Sequence, residues 1–220
     1  MRFLAPFPCS VLGVALLGAA PGCLGSSTTV FPPGLAPLGA IDTPWPGADG
    51  EYPEELTTTQ GSTDDYDWVH ARGYVHAPLP EVYSAMRVPE VGVDRREVDE
   101  WSVTWDVEEG YDHSYAILNV VHQIATIQFT TTWRHGVVEG TEEDAVLTAT
   151  RWQKTDGSDV IYVMEGSMVA TRVDDEVTSL ELIEHLSSLQ SDHGTIQAYL
   201  RDFHADLLAV VHDEPLQSFE

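Results

Sequence analysis

The segment from Ser191 to His212 is the feature that most constrains this chain, because its apolar residues recur at helical spacing. Polar and charged residues fall between them, so one face of the predicted helix is a broad apolar stripe. Ser191 or Asp192 is a suitable N-cap, and Pro215 follows the end of the helix. Such a helix must bury its stripe against another hydrophobic surface. The stripe consists of Ile196, Tyr199, Leu200, Phe203, Leu207, Val210 and Val211.

The residues between Asp67 and Leu189 supply that surface, because their pattern predicts seven β-strands and one short helix. Residues 124–138 alternate most clearly between apolar and polar side chains, which is typical of a strand with one buried face. Short acidic or Gly-containing turns separate consecutive strands, so a single antiparallel sheet is expected. The predicted strands are 67–76, 98–107, 111–122, 124–138, 145–154, 160–173 and 177–189, and the helix covers 77–87.

The charge balance excludes one class of partner. The 220 residues include 10 Lys+Arg against 36 Asp+Glu, a formal net charge of −26, so the chain lacks the basic footprint that binding nucleic acid requires. The acids cluster at expected turns, where they form a solvated surface that keeps the protein soluble. Calcium binding by one of these clusters is the alternative, although no loop has the ligand spacing of an EF-hand.

The first 22 residues have the organisation of a signal peptide. Arg2 supplies the positive charge, and residues 11–20 form a short apolar segment. This segment is too short for a stable bilayer-spanning helix and long enough for export. The sequence therefore predicts an exported protein.

The end of this segment, Ala20-Pro21-Gly22-Cys23, resembles a bacterial lipobox. That resemblance implies that Cys23 is lipidated and becomes the mature N-terminus, and that the lipid anchors the protein in a membrane. Leu24 resembles an outer-membrane sorting signal, so an outer-membrane lipoprotein is expected, either periplasmic or surface-exposed. Ordinary cleavage after Ala20, with Gly18 three places before the cut, is the alternative.

Residues 24–65 are rich in Pro, Gly, Ser and Thr and show little periodicity. Such a segment buries too little apolar surface to offset its ordering entropy, so a disordered tether spanning about 35 Å is expected. Docking of Ile41, Trp45, Tyr52 and Leu56 on the folded body is the alternative. The predicted organisation is a signal peptide (1–22), a lipidated Cys with its tether (23–65), a folded domain (66–213) and a tail (214–220).

The order strand, helix, six strands and long helix resembles the helix-grip, or START-like, superfamily of polyketide cyclases and lipid-transfer proteins. The most telling local match is Val75–Met86, where a first strand runs into a helix with the pattern Pro…Glu-Val-aromatic. The resemblance covers residues 67–212 and implies an α+β fold, with a seven-stranded antiparallel sheet wrapped around the C-terminal helix. It also implies an apolar cavity between them. The second short helix of that group is reduced here to residues 88–95 at most.

Large aromatic side chains on the predicted inner surface either fill the core or line such a cavity. If they line it, they bind the ligand that the resemblance implies, a hydrophobic small molecule or a lipid. These candidate ligand-binding residues are Trp101, Trp105, Phe129, Trp133, Tyr199 and Phe203.

Few residues suggest catalysis or a metal. The nine histidines form no metal-binding motif, no glycine-flanked nucleophile is present, and no cofactor is expected. Five polar residues interrupt apolar strands, and an inward-facing charge among them would need a partner or a ligand head group. An outer-face position is favoured for Arg151, and only one of Glu184 and His185 can face inward. The five are Asn119, Arg151, Glu165, Glu184 and His185.

These observations favour a membrane-anchored, non-catalytic domain that binds a hydrophobic ligand. Two alternatives stay open at this stage. The first is a closed structural domain with a filled core that acts through its acidic surface. The second is an enzyme of the polyketide cyclase type, which would need paired acid and base groups inside the cavity.

Overall fold

A computed structural model describes residues 25–190 and 192–219. The predicted signal peptide and the predicted lipidation site at Cys23 lie outside these described residues. Within them, no helix combines the length and the apolar character needed to cross a bilayer.

The described chain contains eight β-strands and three helices in the order ββααββββββα. The long C-terminal helix begins at His193, and its N-cap is Asp192, whose carboxylate accepts a hydrogen bond from Thr195 N at 2.8 Å. The elements are β1 (Leu56–Ser62), β2 (Asp67–Val75), α1 (Leu79–Met86), α2 (Pro89–Gly92), β3 (Glu100–Trp105), β4 (His113–His122), β5 (Thr126–Gly140), β6 (Ala145–Gly157), β7 (Ile161–Arg172), β8 (Thr178–Ser188) and α3 (His193–Val211).

All eight strands form one antiparallel sheet in the order β1-β2-β8-β7-β6-β5-β4-β3. The prediction of an α+β fold with an antiparallel sheet and a long C-terminal helix is confirmed. The strand count is corrected from seven to eight, because β1 lies inside the segment predicted as a tether. Its threonines favour extended backbone, and it pairs with β2 from Leu56↔Gly73 to Ser62↔Asp67, which covers the edge of β2.

The core lies between one face of the sheet and the helices α1 and α3. Leu200, Phe203 and Leu207 of α3 are almost completely buried against this face, as the apolar stripe predicts. At its centre the rings of Trp133 and Trp152 stack 4.7 Å apart, and the Phe203 ring lies 6.0 Å from that of Trp152. Offset aromatic packing of this kind stabilises a core beyond its buried area.

The other face of the sheet is covered by residues 25–46, which we call the strap. The sequence predicts a disordered tether here, whereas the structure shows an ordered segment that is hydrogen-bonded to the end of β6. Ser27 N donates to Gly157 O and Thr29 N donates to Thr155 O, both at 2.9 Å, and Ser26 forms a β-bridge with Ser158. The docking alternative therefore describes these residues better than the tether.

Long side chains from the sheet explain why the strap is ordered, because they donate to its backbone carbonyl groups. Arg134 reaches Phe31 O and Pro32 O, and Arg151 donates to Ala36 O at 2.7 Å. Further bonds of this type join Gln153 to Val30 O at 2.9 Å and Arg72 to Thr43 O at 2.7 Å. Every residue carries a backbone carbonyl group, so hydrogen bonds to these groups can hold the strap whatever its side chains are. The strap therefore needs no apolar pattern to be ordered.

The C-terminal tail also packs on the domain. Gln217 O accepts a hydrogen bond from Arg95 Nη1 at 2.6 Å, and Gln217 N donates to Asp206 Oδ1 at 3.2 Å. Asp206 is buried and pairs with Arg95 at 2.5 Å. The tail residues 214–219 therefore cover a buried ion pair beside α3.

We expect Arg134→Met to loosen the strap. Arg134 is 4% exposed, and its guanidinium pairs with Glu108 and lies 3.5 Å from the centre of the Phe31 ring. Its loss leaves a carboxylate and two carbonyl groups without their donor, which should lower the free energy of unfolding by about 2–4 kcal/mol. Urea denaturation measures this, and faster chymotrypsin cleavage within residues 25–46 should accompany it.

The matched control is Arg172→Met. Arg172 pairs with Asp144, which is 79% exposed, so this change should cost less than about 1 kcal/mol. Equal stability losses in the two variants would contradict the role given to Arg134.

Candidate functional site

A cavity of about 70 Å³ lies between the N-terminal half of α3 and the sheet. Its wall comes from β4 to β8, from α3 and from the residues around α2. Most of the lining is apolar, and five polar side chains stand among the apolar ones, those of Asp94, Asn119, Thr131, Glu184 and Thr195, together with the Tyr199 hydroxyl. A volume of this size accommodates several water molecules or the end of a larger molecule.

A wider pocket of about 330 Å³ adjoins this cavity and opens at the end of the sheet where α3 begins. Its wall is again mainly apolar, with Val121, Ile127, Ile161 and Leu189 near the rim. The pocket falls at the lower end of the 300–1,000 Å³ range of small-molecule sites. The two volumes share the lining residues Asp94, Val98, Phe129, Met164, Leu186 and Thr195, so together they form one tapered pocket.

Three residues in register on neighbouring strands build the floor of the inner cavity. Trp152 on β6 pairs with Gly166 on β7, and Gly166 pairs with Glu184 on β8. Because Gly166 has no side chain, the indole of Trp152 lies across it and donates from Nε1 to Glu184 Oε2 at 2.7 Å. A Cβ atom at Gly166 would overlap the indole ring and come within 2.5 Å of that carboxyl oxygen.

Glu184 is 3% exposed and has no cationic partner among the described residues. Burial raises the pKa of its carboxyl well above the usual 4.5, and the bond from Trp152 opposes this rise only in part. Within the described chain its second oxygen, Oε1, has no hydrogen-bond partner. The cavity floor is therefore a carboxyl group that favours its neutral, protonated form.

Other polar groups in the cavity bond mainly to the protein. Asn119 Nδ2 donates to Ile117 O at 3.1 Å, and Trp133 Nε1 donates to Thr131 Oγ1 at 3.2 Å. Tyr199 on α3 donates its hydroxyl proton to Gly92 O at 3.2 Å. Burial also raises the pKa of the Asp94 carboxyl at the neck of the pocket. Neither lining contains a Lys, Arg or His from the described chain, so the pocket carries acids and no base.

The structure brings together half of the predicted ligand-binding residues. Phe129, Trp133 and Tyr199 line the inner cavity. Phe203 is buried behind Trp133 and Trp152 in the core. Trp101 is half-buried against the core, and Trp105 is 55% exposed at the other end of the sheet, so neither lines the pocket.

The polar candidates separate onto the two faces of the sheet. Glu184 and Asn119 face the cavity, whereas His185 and Glu165 bond to each other at 3.0 Å on the outer face. Arg151 lies under the strap on that outer face, as its sequence position favours.

Sequence reasoning missed several residues that line the pocket, among them Trp152, Val98, Met164 and Leu186. The pairing of Trp152 with a glycine on the next strand would have identified Trp152, had the strand register been known. Metal binding finds no geometric basis in the described residues, which contain no group of three potential His, Cys, Asp or Glu ligands.

The long α3 against the antiparallel sheet, with α1 between the second and third strands, defines a helix-grip fold. Structural comparison shows the same fold in human StAR-related lipid transfer protein 5, with a TM-score of 0.50 and 11% identity over 74% of this chain and 85% of that one. The human StarD13 (DLC2) lipid transfer and protein localization domain matches with a TM-score of 0.49 and 9% identity over 77% of this chain and 88% of that chain.

A third similar structure is the Zhui aromatase/cyclase from Streptomyces sp. R1128. Its TM-score is 0.44, with 14% identity over 66% of this chain and 91% of that chain. No protein-family model and no curated protein sequence matches this chain. At these identities the comparisons show the fold alone.

We expect Gly166→Ala to disrupt the cavity floor. Trp152 is only 1% exposed, so it cannot move aside to make room for a methyl group without losing its bond to Glu184. Overpacking of this kind should lower the free energy of unfolding by about 1–3 kcal/mol in urea denaturation, with a changed tryptophan fluorescence spectrum.

Gly39→Ala is the control, because a Cβ atom there meets nothing within 4 Å. If the Gly166 variant keeps the stability and the spectrum of the Gly39 variant, the close packing of Trp152 on Gly166 is refuted.

Proposed function

We propose that this protein binds a hydrophobic small molecule or a lipid, without catalysis, in the tapered pocket between α3 and the sheet. The pocket itself is the observation that carries the proposal: a mainly apolar volume of about 330 Å³ that narrows into a cavity of about 70 Å³. An apolar ligand gains free energy by leaving water for such walls. One protein of this fold is, by its name, a lipid transfer protein, which is compatible with this class of ligand.

The pocket also bears on the alternative of a closed structural domain. A filled core would leave no space beneath the helix, whereas the inner cavity extends as far as Trp152 and Glu184. The acidic surface then serves solubility, which is its ordinary role.

We expect Val98→Trp to block the pocket. Val98 lines both the cavity and the wider pocket and lies in the connection between α2 and β3, outside the sheet. An indole there should fill the neck, so the affinity for the neutral fluorescent probe N-phenyl-1-naphthylamine should fall at least tenfold. Fluorescence titration measures the affinity, and circular dichroism checks the fold.

Val138→Trp is the matched control. Val138 is 57% exposed near the opposite end of β5, so the probe should bind this variant as it binds the wild type. Unchanged probe binding by the Val98 variant, or no probe binding by the wild-type protein, would refute a ligand site in this pocket.

We further propose that the protein is exported and held on the outer membrane by a lipid on Cys23. The position of the strap determines which part of the domain such an anchor would hold near the membrane. Ser26 pairs with Ser158 at the end of the sheet where the pocket opens, and three extended residues span at most about 11 Å. An anchor at Cys23 would therefore hold the pocket mouth close to the bilayer, where the exposed side chains of Ile124 and Leu189 stand.

We expect Cys23→Ser to abolish membrane attachment of the full chain in a bacterial host. The wild-type protein should incorporate labelled palmitate and sediment with membranes, with a mature N-terminus at Cys23. Cys9→Ser is the matched control and should leave labelling unchanged, because Cys9 lies in the predicted signal peptide. A mature N-terminus at Pro21 would contradict lipidation and support ordinary cleavage after Ala20.

A further inference from the structure

Resting on the proposed function, we propose that the pocket selects an apolar ligand that ends in an uncharged hydrogen-bonding group, such as an alcohol. The same site rejects the carboxylate of equal chain length. The head group would lie in the inner cavity beside Glu184, and the apolar body would fill the wider pocket.

The dimensions of the pocket set this orientation. The inner cavity of about 70 Å³ holds only a few atoms, and its polar side chains include those of Glu184, Asn119, Thr131, Asp94 and Thr195. The wider pocket offers Val121, Ile127, Ile161, Met164 and Leu186 to an apolar chain. A ligand with one polar end therefore finds hydrogen-bonding partners when that end enters the inner cavity. In the reverse orientation its polar end would lie among apolar side chains.

The hydrogen-bonding capacity of Glu184 defines the head group. Oε2 already accepts the indole proton of Trp152, and Oε1 has no partner within the described chain. A protonated carboxyl donates one hydrogen bond and still accepts others, so it satisfies a hydroxyl or carbonyl oxygen. The amide nitrogen of Asn119 donates to Ile117 O, with longer contacts to Phe129 O and Thr131 Oγ1. Its carbonyl oxygen is left to accept the proton of a ligand hydroxyl.

The charges around the cavity exclude an anionic head group. Glu184 and Asp94 line the cavity and Glu97 stands at the mouth, whereas the neighbouring Arg96 is engaged in an ion pair with Asp202. Among the described lining residues there is no base to neutralise a carboxylate. A carboxylate would lose its hydration and face these acids, whereas an alcohol brings no charge.

The construction of the site also points to a ligand. A buried carboxyl group without a cation costs stability, and a leucine or methionine at position 184 would pack the same space more favourably. The chain nevertheless places Trp152, Gly166 and Glu184 in register so that the carboxyl is held at the cavity floor. Polar residues that are buried at a cost in stability are concentrated at functional sites.

The test measures how 1-decanol, decanoate and decylamine displace N-phenyl-1-naphthylamine from the wild-type protein at pH 7.5. Decanol should displace the probe at a concentration at least tenfold lower than decanoate. The preference should persist at high salt, because it arises inside the pocket and not from the net surface charge of the chain.

Variants of Glu184 connect the preference to this residue. Glu184→Gln keeps an uncharged donor and should retain the preference for decanol. Glu184→Leu should weaken decanol binding about tenfold while the affinity for the probe stays within twofold. Glu165→Gln is the control on the adjacent strand, because the Glu165 side chain bonds to His185 on the outer face. This variant should change the affinity for neither decanol nor the probe.

Four results would overturn the proposal while leaving the binding function intact. The first is decanoate binding as tightly as decanol, and the second is a preference that disappears at high salt. The third is tighter binding of decylamine than of decanol, since that would indicate an ionised Glu184. The fourth is a bound probe that neither decanol nor decanoate displaces. If the probe itself fails to bind, the proposed function fails, and the head-group selection fails with it.

Discussion

The hydrogen bond from Trp152 to Glu184, made across the bare backbone of Gly166, is the interaction on which the pocket depends. It fixes a large indole flat against the sheet and holds a carboxyl group at the end of an apolar cavity. The same indole stacks on Trp133 and approaches Phe203 of α3. The floor of the pocket and the central packing of the helix on the sheet are therefore one structure.

No Lys, Arg or His of the described residues lines the pocket, although Arg96 lies beside Asp94 and Glu97 at its mouth. With 10 Lys+Arg against 36 Asp+Glu, each cation has many possible partners. Arg72, Arg134 and Arg151 bond to the strap on the outer face of the sheet, and Lys154 bonds to Ser27 of the strap and to Ile161 O. The charged residues that line the pocket are all acids, and the proposed preference for uncharged molecules rests on this division of charge between the two faces.

The parts of the fold that could be predicted from the sequence are those that produce a periodic pattern of apolar residues. The apolar stripe of α3, the alternation in β5 and the turns between strands were sufficient for an antiparallel sheet packed against a long helix. The strap and β1 escaped prediction because hydrogen bonds to carbonyl groups hold the strap, and such bonds leave no apolar pattern. Glu184 was recognised as an anomaly, but its partner Trp152 was not, because register between strands is a tertiary property.

The most direct test of this account is the pH dependence of the stability difference between Glu184→Gln and the wild-type protein. Well below pH 4.5 the carboxyl is protonated whether the chain is folded or unfolded. Above it the unfolded chain releases the proton, whereas burial raises the pKa of Glu184 in the folded chain, so wild-type stability falls as the pH rises toward that folded pKa.

The glutamine variant has no proton to release at this position. Its free energy of unfolding should therefore increase relative to the wild type by up to about 1.4 kcal/mol per pH unit above pH 4.5. A stability difference that stays constant between about pH 5 and pH 8 would show that Glu184 is ionised in the folded protein. That result would contradict the neutral carboxyl at the centre of this account.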